Sequence, residues 1–325
     1  MMKILVTPTS FGKDKRSRAR DQLDAFLAPL NGELVFNPYG RPLNPEELIP
    51  LLDEVDGYIA GLDHITAEVM KKAPSSLKVI SRYGAGYDRV DVAAAAEKRI
   101  VVTNTPGVNA QAVADLAFGL MLSVARRIPS LDGKVRRGEW PRTSGVELYG
   151  KTLGIVGLGA VGKGVAARAK GFSMKALAYD PYLDKAYAKE NGIRACTFEQ
   201  ILQDSDFISL HIPLNEQTRG ILNRESMQRM KFGAIVINTS RGGLIDEAAA
   251  YEALKTGKLG GLGLDAFEAE PPGYSPLFEL ENVVVTPHAG AHTAEAAENM
   301  GMLSVQNLID VLSGKECRYS VNYIG

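Results

Sequence analysis

The amino-acid sequence predicts an α/β fold with two domains, each built on a doubly wound parallel sheet, and a cleft between them. Short apolar runs alternate with helical patterns along most of the chain, which is typical of parallel sheets covered by helices. Residues 153–172 join a strand, a glycine-rich turn and a helix. The length of 325 residues allows two domains of ordinary size, each with its own core.

The N-terminal part of the chain predicts a first α/β unit. Strands are expected at 3–6, 34–36, 58–60, 79–81 and 101–103, and helical spacing covers 19–30 and 45–52. The loop 7–18 is basic through Lys13, Lys15, Arg16 and Arg18. It suggests a contact with an anionic substrate, although a solvated charged surface is the commoner reason for such a loop.

The segment 109–127 is apolar on most faces and is followed by Pro129. A helix that is apolar all round is buried on several sides. We therefore expect this helix to join the two domains or to pack against a second subunit. Residues 128–148 are polar and are expected to be irregular; they include the only tryptophan, Trp140.

A nucleotide-binding turn is predicted at 157–162. The apolar strand 153–156 leads into Gly157, Gly159 and Gly162, and then into a helix. The first glycine permits the tight turn, the second lets the backbone approach a pyrophosphate, and the third lets helix and strand pack closely. A second strand, 176–179, ends in Asp180, which can accept both ribose hydroxyls and repel a 2′-phosphate. The pattern predicts a dinucleotide site that favours NAD over NADP.

Strand–helix alternation continues through a second, Rossmann-like sheet. Further strands are expected near 194 and at 207–210, 234–238, 261–266 and 283–286, before a helix at 294–312 that returns to the first unit. The predicted division is a discontinuous substrate domain, Rossmann-like or flavodoxin-like, of residues 1–103 and 291–325, and a Rossmann NAD-binding domain of residues 104–290.

Three polar residues follow successive strands of the second sheet, at the edge where ligands of such folds bind. Arg241 offers a fork for a substrate carboxylate. His288 can take a hydroxyl proton as hydride leaves the same carbon, and Glu270 can orient the imidazole and favour its protonated form. Together they suit oxidation of a 2-hydroxy acid to a 2-oxo acid. Each alone also fits a structural role, and His211 is interpreted as a wall of the adenine pocket.

Composition excludes several other classes of protein. The 37 basic and 38 acidic residues give a net charge of −1, which offers no electrostatic basis for binding nucleic acid or an anionic membrane. Cys196 and Cys317 are not spaced as a disulfide framework or a zinc site, so no metal is expected. A signal peptide and a bilayer span are not predicted either, and we expect a cytoplasmic location.

Several segments, in order along the chain, resemble one enzyme family. They are 82–91 (RYGAGYDRVD), 104–109 (NTPGVN), the turn 157–162, 211–214 (HIPL), the segments around Arg241 and Glu270, and 287–290 (PHAG). The chain is similar to the D-isomer-specific 2-hydroxyacid dehydrogenases, and within them to the 3-phosphoglycerate dehydrogenase-like group without the regulatory C-terminal domain. Asp115 stands where the family commonly has glutamate, a difference that bears on packing.

The resemblance implies roles for individual residues. Arg241, Glu270 and His288 match the catalytic arginine, glutamate and histidine. The backbone of Gly84, Ala85 and Gly86 matches the loop that holds the substrate carboxylate, with Tyr83 and Arg241 as further substrate contacts. Besides the glycines and Asp180, the implied contacts of the cofactor NAD are Ala160, Val161, Pro181, His211, Ile212, Pro213, Thr218, Thr239, Ser240, Asp265 (near the nicotinamide carboxamide), Ala289 and Gly290. A homodimer with 109–127 at its interface is also implied.

The leading hypothesis is an NAD-dependent oxidoreductase that interconverts a D-2-hydroxy acid and its 2-oxo acid, with 3-phosphoglycerate dehydrogenase as one possibility. One alternative is a glyoxylate or hydroxypyruvate reductase of the same fold that uses NADP, which Asp180 disfavours. Another is an NAD-sensing, corepressor-like interaction protein, which the intact trio of Arg241, Glu270 and His288 disfavours. The sequence does not identify the 2-hydroxy acid.

Overall fold

The structure is a computed structural model, and it describes residues 1–11 and 16–322. The chain forms two compact units, Met1–Asn109 with His292–Gly325, and Ala110–Ala291. Each unit has one sheet, in which all strand pairs are parallel, and helices cover the sheet. The α/β fold class predicted from the strand–helix alternation is therefore confirmed.

The first unit is organised on a five-stranded sheet. Its strands are β1 (Lys3–Val6), β2 (Glu33–Phe36), β3 (Gly57–Ala60), β4 (Val79–Arg82) and β5 (Val101–Thr103), in the order β2-β1-β3-β4-β5. Its helices are α1 (Arg18–Leu27), α2 (Pro45–Leu51), α3 (Ala67–Lys72), α4 (Val92–Glu97) and the C-terminal helix Ala294–Leu312. The order is the doubly wound one, with the crossover between β1 and β3.

Both faces of this sheet are buried, because its central strands are apolar on both sides. On one face Leu5, Tyr58 and Ile80 pack with apolar residues of α2, α3 and α4. The C-terminal helix packs on β3 and β4, and the Ser81 hydroxyl donates to the carbonyl of Ser304 at 2.8 Å. The predicted return of that helix to the first unit is thus what the structure contains.

The second unit has a seven-stranded sheet. Its strands are β6 (Thr152–Val156), β7 (Lys175–Tyr179), β8 (Arg194–Ala195), β9 (Phe207–Leu210), β10 (Ala234–Asn238), β11 (Leu259–Leu264) and β12 (Val283–Val285), in the order β12-β11-β10-β9-β6-β7-β8. The helices are α5 (Ala110–Ala125), α6 (Ile128–Arg136), α7 (Ala160–Gly171), α8 (Lys185–Glu190), α9 (Phe198–Asp204), α10 (Arg224–Arg229) and α11 (Glu247–Lys255). The sheet reverses its strand order between β6 and β9, and ligands of such sheets bind at this reversal.

The long apolar helix α5 is buried within its own unit. It packs on β10, β11 and α7, and its core-facing residues include Ala117, Leu120 and Val124. The close approach to α7 needs small residues, since a Cβ on Gly164 would lie 3.0 Å from that of Ala114. Asp115 pairs with Arg168 of α7 at 2.7 Å, so the shorter acid takes part in this helix–helix packing.

Two sequence expectations differ most from the structure, and the bounds of several other elements differ by a few residues. Residues 128–136, expected to be irregular, form α6, because proline in the first turn of a helix removes no intrahelical hydrogen bond. The strand expected at 261–266 is Leu259–Leu264, since Leu264 pairs with Asn238 at the end of β10 and the chain turns away after it.

The basic loop is described only in part. Lys13 and Lys15, which suggested an anion contact, lie outside the described residues. Arg18 pairs with Glu298 of the C-terminal helix at 2.9 Å. In the described ranges, no helix is long and apolar enough to cross a bilayer.

Candidate active site

The glycine turn after β6 has the geometry that its sequence predicts. Gly157 has φ of +95°, and a Cβ there would lie 2.5 Å from the carbonyl oxygen of His211. A Cβ on Gly162 would lie 2.0 Å from the carbonyl oxygen of Gly157, so only glycine lets α7 pack this closely. Gly159 differs: a Cβ there would meet no atom within 4 Å. Because Gly159 has no side chain, a ligand can approach the first turn of α7 at this residue.

Asp180 lies at the end of β7, next to this turn. Its carboxylate accepts the N–H of Leu158 at 2.8 Å and the N–H of Tyr182 at 2.8 Å. The side chain is thus fixed against the glycine turn, with unused lone pairs on both oxygens. Pro181 follows it and is exposed.

The segment after β9 lies against the other side of the turn. The position of a Cβ on Gly157 is 2.8 Å from Ile212, and the His211 ring bonds to the Ser209 hydroxyl at 2.8 Å through Nε2. Although the residue keeps some exposure, desolvation of its ring lowers the pKa of His211 to about 3. His211 is therefore neutral at physiological pH, as suits a pocket wall.

An unpartnered hydroxyl lies at the carboxyl end of the sheet. Thr239 is 8% exposed, and its Oγ1 has no hydrogen-bond partner within the residues that the structure describes. A buried polar group without a partner is costly, and a ligand is one way to satisfy it. Together with the open side of Gly159 and the fixed Asp180, this hydroxyl fits a nucleotide cofactor along this edge.

Glu270 and His288 form a pair at the same edge. Glu270 follows β11 and His288 follows β12, and Nδ1 of His288 lies 2.9 Å and 3.0 Å from the two carboxylate oxygens. The side chain of His288 is 28% exposed and that of Glu270 is 15% exposed, so a ligand can still contact the imidazole ring. Because Nδ1 is bound to the carboxylate, Nε2 is the nitrogen that can exchange a proton with a substrate.

Arg241 follows β10, the strand beside β11. The turn before it is shaped by Asn238, whose side chain accepts from Ser240 and donates to the carbonyl of Arg241 at 2.7 Å. The turn packs directly on the Glu270 loop, because a Cβ on Gly242 would lie 1.9 Å from the carbonyl carbon of Phe267. Arg241, Glu270 and His288 thus stand at the ends of three adjacent strands, β10, β11 and β12.

Asp265 fixes the segment that contains His288. Its carboxylate is 1% exposed and accepts from the Thr286 hydroxyl at 2.6 Å, the Ala289 N–H at 2.7 Å and the Gly290 N–H at 2.8 Å. These donors stand on both sides of His288, whose φ is +51°. A non-glycine residue in this region costs about 1–3 kcal/mol and persists only when its surroundings hold it.

Several predicted contact residues already have partners inside the protein. The Ser240 hydroxyl donates to Asn238, and the Thr218 hydroxyl donates to the carbonyl of Pro213 at 2.7 Å. The N–H groups of Ala289 and Gly290 are taken by Asp265. Ala160 and Val161, which are also predicted contacts of the cofactor, lie in the first turn of α7.

The predicted carboxylate-binding loop belongs to the first unit, directly after β4. Tyr83 is 8% exposed, stacks on Phe11, and donates its hydroxyl to the carbonyl of Ala297 at 2.6 Å. Its side chain therefore anchors the loop to the C-terminal helix. Gly84 has φ of +147°, a conformation that favours glycine.

Sequence reasoning missed Asn238 and Thr286 as residues that shape the site. Asn238 is the last residue of β10 and Thr286 directly follows β12, and a short polar residue at a strand end is the one signal that could have pointed to them. Their partners are backbone groups, the Ser240 hydroxyl and Asp265, and those contacts are decided by the turns rather than by the pattern of residues.

Comparison with known proteins gives a consistent result. The family model for the NAD-binding domain of D-isomer specific 2-hydroxyacid dehydrogenases matches residues 118–290. The chain is 45% identical over 284 residues to the D-3-phosphoglycerate dehydrogenase of Methanocaldococcus jannaschii, a match covering 86% of this chain and 54% of that protein. It is 43% identical over 282 residues to the glyoxylate reductase of Korarchaeum cryptofilum, covering 84% of this chain and 85% of that protein.

Among solved structures, the TT0316 protein from Thermus thermophilus superimposes with a TM-score of 0.85 at 38% identity, covering 99% of this chain and 100% of that one. The chain spans about half the length of the phosphoglycerate dehydrogenases that it matches, here 54%. It spans most of the length of the glyoxylate reductase, 85%.

Proposed function

Because the chain belongs to the D-isomer specific 2-hydroxyacid dehydrogenase family, we propose that it is an NAD-dependent oxidoreductase that interconverts a D-2-hydroxy acid and its 2-oxo acid. The observation that supports this most is the pairing of Glu270 with Nδ1 of His288 at 2.9 Å, beside the turn of Arg241. An acid–base histidine, a carboxylate that orients it and a carboxylate-binding arginine are the groups that this reaction needs.

In the reductive direction, His288 starts protonated and gives the proton on Nε2 to the carbonyl oxygen of the 2-oxo acid. Bound NADH supplies the hydride that the carbonyl carbon receives. Glu270 holds the other ring nitrogen, so the ring keeps its orientation and its positive charge is stabilised before transfer. Arg241 binds the substrate carboxylate. In the oxidative direction the neutral imidazole takes the hydroxyl proton.

The family model assigns NAD binding to the second unit, and we propose that Asp180 selects NAD over NADP. Its carboxylate is held beside the glycine turn by Leu158 and Tyr182. At that position it accepts ribose hydroxyls and repels a 2′-phosphate. Asp180→Ala should therefore weaken NADH binding and bring the Kd of NADH closer to the Kd of NADPH. Equal use of NADH and NADPH by the unaltered protein would contradict this role.

The names of two relatives point to substrates of different charge, 3-phosphoglycerate and glyoxylate. We propose a small 2-oxo acid as the substrate class. Measuring turnover of each candidate decides which 2-oxo acid the protein reduces. The corepressor-like alternative gains no support, because the Glu270–His288 pair is intact.

We also propose a homodimer; the helix 109–127 at its interface stays a prediction, and the segment that directly follows this helix offers a further contact surface. Five apolar side chains on α6 and the segment after it are between 44% and 81% exposed: Ile128, Val135, Trp140, Val146 and Tyr149. Exposed apolar side chains in one stretch of chain are typical of a subunit interface. Trp140→Asp should shift the mass measured by light scattering from dimer to monomer, whereas Phe232→Asp, at another exposed aromatic of the same unit, should not.

A cytoplasmic location completes the proposal, since both cysteines are free.

The central test is NADH oxidation with a panel of 2-oxo acids, with and without a phosphate group. Turnover of at least one is expected, and His288→Ala should lose most of it while NADH binding, followed by fluorescence, is retained. If no 2-oxo acid is reduced, or if His288→Ala is as active as the unaltered protein, the proposed function is wrong.

A further inference from the structure

The loop after β4, residues 84–86, leaves backbone N–H groups available to a ligand because its carbonyl oxygens accept hydrogen bonds from other residues of the first unit. Each of its three carbonyl oxygens has a partner: Gly84 accepts from the Thr105 N–H at 3.0 Å, Ala85 from Nδ2 of Asn104 at 2.8 Å, and Gly86 from Nε of Arg82 at 3.1 Å. Arg82 is 3% exposed and also donates to the carbonyl of Ala60 at 2.7 Å, which ties the loop to the end of β3.

The donors of the loop are in a different situation. The Gly84 N–H donates to the Thr105 hydroxyl at 2.9 Å, so it is not available to a ligand. The N–H groups of Ala85, Gly86 and Tyr87 have no hydrogen-bond partner in ranges 1–11 and 16–322. The available amides are therefore shifted by one residue from those that the sequence suggested.

Peptide geometry links each held carbonyl to one available donor. In a trans peptide, the C=O of one residue and the N–H of the next point in opposite directions. Holding the Ala85 carbonyl with Asn104 thus turns the Gly86 N–H outward, and holding the Gly86 carbonyl with Arg82 does the same for Tyr87. Three adjacent backbone N–H groups that point outward can together donate to one anion.

We propose that Asn104 and Arg82 are positioning residues, which hold this loop so that the amides of Ala85, Gly86 and Tyr87 receive the substrate carboxylate. The inference rests on the proposed function, because that function supplies the carboxylate. Neither side chain touches the substrate; each acts through a backbone carbonyl. Without Asn104, the peptide between Ala85 and Gly86 can rotate, and the loop must be ordered again on binding.

Asn104 is the better residue to change, because its backbone is fixed independently of its side chain. Its N–H donates to the carbonyl of Tyr319 at 3.1 Å, and its carbonyl accepts from Asn307 at 2.9 Å. Asn104→Ala therefore removes the bond to Ala85 and little else. Losing one oriented amide–carboxylate bond should raise KM for the 2-oxo acid about tenfold.

The test compares Asn104→Ala with Asn322→Ala. Asn322 also bonds through its side chain to backbone near β5, to the Val102 N–H at 2.8 Å and the Ile100 carbonyl at 2.9 Å, and it does not touch the loop. Both variants should lower Tm, but only Asn104→Ala should raise KM, with kcat and the Kd of NADH little changed. Asn104→Asp should raise KM further, because it adds a negative charge behind the loop.

Calorimetric titration of oxalate in the presence of NADH separates this inference from the proposed function. Oxalate has the carboxylate but is not reduced, so weaker binding to Asn104→Ala supports the positioning role even if no 2-oxo acid in the panel is turned over. Equal binding by the variant and the unaltered protein, equal effects of the Asn104 and Asn322 variants on KM, or no oxalate binding at all would overturn it. A turnover failure with these binding differences intact would count against the proposed function alone.

Discussion

Replacing Asp265 by asparagine should damage both stability and turnover, for reasons that follow from its three hydrogen bonds. Oδ1 accepts from Thr286 and Ala289, and Oδ2 accepts from Gly290. Asparagine has the same shape but only one acceptor oxygen. Whichever way the amide is oriented, its NH2 group faces a backbone N–H, either that of Gly290, which is buried, or that of Ala289, which is partly buried.

The magnitude follows from the burial of this site. One buried backbone N–H without a partner costs about 1–3 kcal/mol, and the bonds that remain lose the strengthening given by a full charge. We therefore expect Asp265→Asn to lower the free energy of unfolding by about 2–4 kcal/mol. The turn would also hold His288 less firmly, and a displacement near 1 Å costs roughly 100-fold in rate.

Urea unfolding followed by fluorescence measures the first effect, and kcat for reduction of a 2-oxo acid measures the second. Asp206→Asn is the matched control in the same unit: its carboxylate accepts from the Thr152 N–H at 2.8 Å and pairs with Lys231 at 3.0 Å, at the amino end of the sheet. The control should lose stability and keep kcat. An Asp265→Asn protein with unaltered unfolding energy and kcat would refute the reasoning.

Three further predictions concern the same unit. Glu270→Gln leaves Nδ1 of His288 facing an amide where two carboxylate oxygens now lie at 2.9 Å and 3.0 Å, so the ring is held less firmly and kcat for oxo-acid reduction should fall by about 100-fold; an unchanged kcat would mean that the carboxylate does not position the histidine. The pKa of His211 is lowered to about 3, so the unfolded chain binds a proton below about pH 6.5 that the folded state excludes, and stability should fall by roughly 1.4 kcal/mol per unit as pH drops from 6 to 4. His211→Gln should flatten this part of the unfolding-energy profile, and parallel profiles would contradict the assignment. Gly162→Ala should lower Tm sharply, since its Cβ would lie 2.0 Å from a backbone oxygen, whereas Gly159→Ala, with no atom within 4 Å, should keep Tm and weaken NADH binding; unchanged binding would place the cofactor away from Gly159.

Local patterns in the sequence determined the elements and their class. The strand 207–210 and the helix 294–312 have the bounds that the sequence predicts. The spacing of their apolar residues and the polar residues on either side define both elements locally. The glycine turn was equally readable, since the positive φ of Gly157 and the close approach of Gly162 to the Gly157 carbonyl both arise within one strand–turn–helix unit. The family resemblance came from the same kind of information: short motifs in a fixed order.

Strand ends and hydrogen-bond partners were decided only by the tertiary structure. The end of β11 depends on pairing with β10, which lies some twenty residues earlier and has no signal in the segment itself. The roles of Asp265, Asn104 and Tyr83 depend on which donors and acceptors the turns bring to them from distant parts of the chain. Sequence patterns report which residues are polar at a strand end, but a carboxylate or amide acquires its function from the atoms within about 3 Å of it, and those are set by folding.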